Sequence, residues 1–158
     1  MVIIGIDPSF RKNGFAVCFW DKTDNSMSFQ MFGCFLEFYD FIKSDDAPMK
    51  AVVVIENSNL QNTTFDLRGN KYEVARKSRN VGTNQAVSEL TVRACVSRYG
   101  KKNVLELSPK QKGRKLKQVE LDSILKVKKI SSPKSMNQDM RDAAQLALKG
   151  EALSKRIK

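Results

Sequence analysis

The chain has 158 residues, 41% of them apolar, enough for one domain with a sizeable core and no need of disulfide staples. No run approaches 18 uninterrupted apolar residues, which excludes a membrane-spanning helix of the usual kind, and the start MVIIGIDPSF has neither the basic region nor the cleavage site of a signal peptide. There is no histidine, and Cys18, Cys34 and Cys95 are scattered without CxxC spacing, so Cys/His zinc sites and histidine-based triads are excluded. The three cysteines are expected to stay reduced in a cytoplasmic setting, a bacterial cell or the host of a phage.

The charge is uneven. Lys plus Arg number 28 against 17 acids, a net +11; residues 1–65 carry a net −3 and residues 66–158 a net +14. A surface that merely kept the protein soluble would interleave the two signs. A polyanionic partner is expected for the second half.

Val2 to Asp7 is a short apolar run ended by an acid and Pro8, the pattern of a buried central strand. Strands are expected over 14–20 and 26–32, joined by the turn 21–25 into an antiparallel meander. The segment 34–43 (CFLEFYDFIK) suits a helix packed on that sheet. Ten of the thirteen aromatics fall between Phe10 and Phe41 and are read as core. Ala51 to Glu56 is a second buried strand ending in a carboxylate. Asn57 to Asn80 shows no clean periodicity and reads as a long, mobile excursion of the kind that usually has a task. Helical spacing of Ala86, Val87, Leu90, Ala94 and Cys95 predicts a helix over 83–99, closed by Gly100. Val92 and Val96 widen its apolar side, so part of it is a candidate dimer face. A short strand follows over 103–107, then a basic segment, a helix to about residue 125, and a last helix over 137–153. With no internal repeat, the order implies an α/β layering around one mixed sheet.

Two neighbouring strands ending in Asp7 and Glu56 would set both carboxylates at one sheet edge. Asp139 and Asp142, at i and i+3, project to the same side of the last helix, whose apolar face continues through Ala143, Leu146, Ala147 and Gly150. Four acids converging in a basic protein call for a cation between them. Hard oxygen ligands at a partly open site suit Mg²⁺ or Mn²⁺, and two such ions can clamp a phosphodiester.

The opening Gly5-Ile6-Asp7-Pro8 with Gly14, then Ile55-Glu56, Ser108-Pro109 with its following lysines, and Asp139-x-x-Asp142-Ala143, resembles the RuvC-type Holliday junction resolvases of the ribonuclease H-like superfamily. The resemblance runs from Ile3 to about Leu148. It implies a ribonuclease H-like fold, a five-stranded mixed sheet flanked by helices, with residues 1–158 forming one nuclease domain. It also implies that Asp7, Glu56, Asp139 and Asp142 are catalytic, bind two Mg²⁺ ions for which Mn²⁺ substitutes, and hydrolyse phosphodiesters. The family works as a homodimer that nicks two opposing strands of a four-way DNA junction. Two departures stand out: the stretch between Glu56 and Gly82 is longer than in the bacterial enzymes, and Asn57-Ser58-Asn59-Leu60 stands where those enzymes carry a base-stacking Phe.

The basic residues divide into two sets of candidate DNA contacts. Lys110, Lys112, Arg114, Lys115 and Lys117 follow a strand and would touch phosphates, positioning the DNA without reading sequence. Lys126, Lys128 and Lys129 extend that set. Arg68, Lys71, Arg76, Lys77 and Arg79 lie in the excursion, which is expected to enter the open centre of a junction with Tyr72 or Phe65 stacked on a base. The terminal residues 155–158 read as a frayed basic tail. Rival functions are a related nuclease acting on other branched DNA or on RNA, and a junction-binding protein whose acids are structural.

Overall fold

A computed structural model describes residues 1–61 and 68–154, Leu153 by its backbone alone. Strands β1 (Val2–Asp7), β2 (Phe15–Asp21) and β3 (Ser26–Phe32) form the meander, and helix α1 (Phe35–Lys43) and strand β4 (Ala51–Glu56) follow. Then come α2 (Lys71–Tyr99), β5 (Val104–Leu107), the one-turn helix α3 (Pro109–Lys112), α4 (Gln118–Val127) and α5 (Gln138–Ser154). The sheet order is β3-β2-β1-β4-β5, antiparallel through β1 and parallel from β1 to β5. The mixed five-stranded α/β architecture expected from the sequence is the one observed.

Alternation along β1 explains how both faces are covered. Ile4 and Ile6 point into a core with Phe15, Phe32, Phe38, Val53 and Ile55, closed by α1 and by Val92, Cys95 and Tyr99 of α2. Within it Phe38 stacks on Phe15 at 4.7 Å between centroids and meets Phe32 edge-on at 5.6 Å, so these aromatics are core. Ile3 faces the other way, into a core with Ala16, Cys18, Trp20, Leu121, Leu125, Ala143, Ala144 and Ala147, closed by α4 and α5. Asp7 continues that second register, towards α5.

Three expectations are corrected. The excursion from 57 to 80 is helical from Lys71 onward, because Asn70 caps α2 by accepting from the backbone N–H groups of Tyr72 and Glu73. Its first three turns bury almost nothing, so no apolar period marked them. Val92 and Val96 pack into the core and form no free dimer face; Ala86 and Leu90 are exposed in that stretch. The basic segment opens with α3, held by a reciprocal capping box between Ser108 and Gln111 with Pro109 at its first position. Phe65 and the tail 155–158 lie outside the described residues. Among the described residues no helix is long and apolar enough to cross a membrane.

Candidate active site

The four acids come together where three elements meet. Parallel pairing of β1 with β4 runs through Ile6 opposite Ile55, so Asp7 and Glu56 leave adjacent strand ends side by side. Asp139 and Asp142 arrive from the first turns of α5, which lies across β1 at Gly5. All four line one cavity of about 420 Å³, with Ser58, Asn84 and Ser88 on one wall and Pro109, Lys112 and Lys115 on another.

Glu56, Asp139 and Asp142 each have a direct partner. Arg11 donates to Asp139 Oδ1 at 3.1 Å. Gln138 Nε2 donates to Asp142 Oδ1 at 2.7 Å. Lys112 Nζ stands between Glu56 Oε2 and Asp142 Oδ2, 3.2 Å from the latter. Burial, with Glu56, Asp142 and Asp139 close by, pushes Asp7 up to about 7, even though the Lys112 ammonium pulls the other way. Burial on its own would lower Lys112, but Asp7, Glu56 and Asp142 hold its pKa above the ordinary lysine range.

The shift at Asp7 has a consequence for stability. Its pKa rises on folding, so its stabilising contribution is complete below about 4 and is lost as pH rises through about 7. Metal-free protein is therefore expected to lose stability across that window, and Asp7→Asn to flatten the loss, as urea unfolding at a series of pH values would show. A pH dependence unchanged by the substitution would remove Asp7 as its source.

Oxygen donors of this type fit Mg²⁺ or Mn²⁺. Even with Lys112 and Arg11 among them, four ionised carboxylates leave a surplus of negative charge, which a divalent cation would balance. Among the described residues, however, no three Cys, Asp or Glu side chains stand in ligating geometry, and Lys112 lies within the cluster. The Lys112 ammonium sits between Glu56 and Asp142, and Arg11 covers Asp139.

The candidate DNA contacts separate into groups. Lys110 on α3 and Lys115 and Lys117 after it are exposed, with Lys115 on the cavity wall. Arg114 is exposed but engaged, donating to Glu120 Oε1 at 2.5 Å and Oε2 at 3.1 Å. Lys112, read from sequence as a phosphate contact, is only 5% exposed and faces the acids, because the α3 turn directs it inward. Lys128 pairs with Glu151 at 2.7 Å, while Lys126 and Lys129 are exposed. Arg68, Lys71, Tyr72, Arg76, Lys77 and Arg79 are all exposed around the start of α2, Tyr72 at 86%. Lys77 shares the helix face of Val81, Asn84 and Ser88, which line the cavity, and its Nζ donates to the Arg68 carbonyl at 3.1 Å. Tyr72, Arg76 and Arg79 recur on a different face.

Sequence reasoning missed Arg11, Gln138 and the inward role of Lys112. A signal for the last was present, since Ser-Pro-Lys-Gln carries a capping box that fixes where the residue after it points. The segment after Glu56 is tied to β5 and α2: Asn57 Nδ2 donates to Glu106 Oε2 at 2.6 Å, and Asn59 Nδ2 to the Gln85 carbonyl at 2.9 Å.

The fold is a five-stranded mixed sheet flanked by helices, with Asp7 and Glu56 at the ends of two neighbouring strands. The chain is similar to the solved structure of T. thermophilus RuvC in complex with Holliday junction substrate, with a TM-score of 0.54 over 99% of this chain and 96% of that one. Only 14% of residues are identical, so the likeness is one of fold. No protein-family model and no curated protein matches the sequence.

Proposed function

We propose that the protein is a divalent-metal-dependent endonuclease that resolves four-way DNA junctions by paired nicks. The carrying observation is the convergence of Asp7, Glu56, Asp139 and Asp142 on one cavity, in a fold that resembles a protein solved on that substrate. In this reading the four carboxylates hold two Mg²⁺ ions, whose chemistry is to activate water and stabilise the leaving oxygen of a phosphodiester. Arg11 and Gln138 orient the α5 carboxylates. Lys110, Lys115 and Lys117 hold phosphates on one flank, and the exposed start of α2 reaches the DNA on the other. Residues 1–158 act as one nuclease domain, and two copies supply the two nicks.

One observation favours a second reading, a junction-binding protein without catalysis: the ammonium of Lys112 already balances part of the acid cluster. A nicking assay in Mg²⁺ on an immobile four-way junction, a three-way fork and linear duplex separates the two. Symmetric paired nicks on the four-way substrate alone are expected. Equal cutting of the fork would widen the substrate class to branched DNA at large, and binding without cutting in either Mg²⁺ or Mn²⁺ would establish the second reading.

The phosphate contacts are testable through salt. Lys110→Ala with Lys115→Ala is expected to lower the slope of log affinity against log salt by about two, measured on junction DNA in Ca²⁺. A slope equal to that of the parent protein would take both lysines off the DNA.

A further inference from the structure

The cation inside the carboxylate cluster is supplied by the chain, and its backbone is held firmly. Ser108 and Gln111 cap α3 reciprocally, and Gly113 turns the chain away with φ of 94°. Gln145 Nε2 donates to the Lys112 carbonyl at 2.9 Å, and Lys149 Nζ to that of Gln111 at 2.7 Å, fastening α3 to α5. The freedom left to Lys112 is that of its four-carbon stem.

Its ammonium lies against Glu56 and 3.2 Å from Asp142, two of the oxygens that a divalent ion would need. A monovalent and a divalent cation cannot share those oxygens without strong repulsion at such range. Lys112 lines the cavity together with the exposed Lys115, three residues further along the chain.

We propose that Lys112 is an exchangeable counter-ion: it neutralises Glu56 and Asp142 in the metal-free protein and is displaced towards the cavity mouth when a divalent cation enters. This rests on the metal-centre reading above. At the mouth the displaced ammonium faces the place where a phosphate of bound DNA would lie. A phosphate there favours the displaced position, so DNA tightens metal binding and metal tightens DNA binding by the same factor. The lysine thereby ties loading of the centre to arrival of substrate.

Two measurements on the full chain test the exchange. In wild-type protein, lysine acetylation read by mass spectrometry should find Lys112 protected without metal, and at least about tenfold more reactive in saturating Mg²⁺, with Lys110 and Lys115 unchanged. In calorimetry, Lys112→Met should bind Mn²⁺ at least about tenfold more tightly than wild type, since the competing charge is gone. Metal binding to wild type with Lys112 still protected overturns the exchange and leaves the metal centre standing; this measurement needs no variant to fold. Absence of Mn²⁺ binding by both proteins overturns the metal centre and the exchange together.

Discussion

Gly5→Ala is expected to cost on the order of 4–5 kcal/mol, enough to leave little folded protein in a domain of ordinary stability. An added Cβ at Gly5 would lie 2.1 Å from the Ala143 carbonyl oxygen, 2.5 Å from the Ala147 nitrogen and 3.1 Å from its Cα. These are backbone atoms of α5, which cannot swing aside as a side chain can. Either α5 lifts from β1 or β1 bends, and both outcomes disturb the core around Ile3, Ala143, Ala144 and Ala147. The same close approach carries Asp139 and Asp142 to Asp7, so any folded fraction should have lost the site as well. Gly150 makes the contrast: a Cβ there would meet methyl groups of Ile3 at 2.7 Å and Val54 at 2.9 Å. Side chains repack, so Gly150→Ala is expected to cost only about 1–3 kcal/mol. Urea unfolding of the two variants checks the order; a Gly5→Ala protein as stable as Gly150→Ala would refute the tight crossing of α5 over β1.

Asp7→Asn is expected to reduce junction cleavage by at least about a thousandfold, the scale of losing a group that stabilises transition-state charge. Junction binding should stay within a few-fold, because Lys110, Lys115 and Lys117, the exposed candidate phosphate contacts, are untouched by the substitution. The variant should fold at least as well as the parent at neutral pH. Its amide replaces a carboxyl whose ionisation is opposed by burial and by Glu56, Asp142 and Asp139. Loss of cutting without loss of stability or binding is a combination that a damaged fold would not give. Single-turnover cleavage, gel-shift binding in Ca²⁺ and urea unfolding measure the three quantities, and cleavage near the parent rate would exclude Asp7 from the centre.

The parts of the fold legible in sequence are those that bury apolar surface at a regular period. β1 and β4 are continuous apolar runs ended by acids, and their parallel pairing puts those acids together. The α5 stripe of Ala143, Leu146, Ala147 and Gly150 packs on the sheet for the same reason. The first three turns of α2 were illegible because they face solvent, so their helicity rests on the Asn70 cap and on continuity with the buried half. The inward direction of Lys112 was illegible because a lysine in a basic segment looks like its neighbours. Its inward direction follows from one turn of helix whose cap is a two-residue signal. The reach of Arg11 to Asp139 spans 128 positions and has no local signature at all.

Mn²⁺ soaked into crystals of the protein and located by its anomalous scattering would show which carboxylates bind a divalent ion. Peaks bounded by Asp7, Glu56, Asp139 and Asp142 are the predicted result. A well-diffracting crystal with Lys112 still between Glu56 and Asp142, and Mn²⁺ bound only elsewhere, would contradict the assignment of this cavity as the catalytic centre.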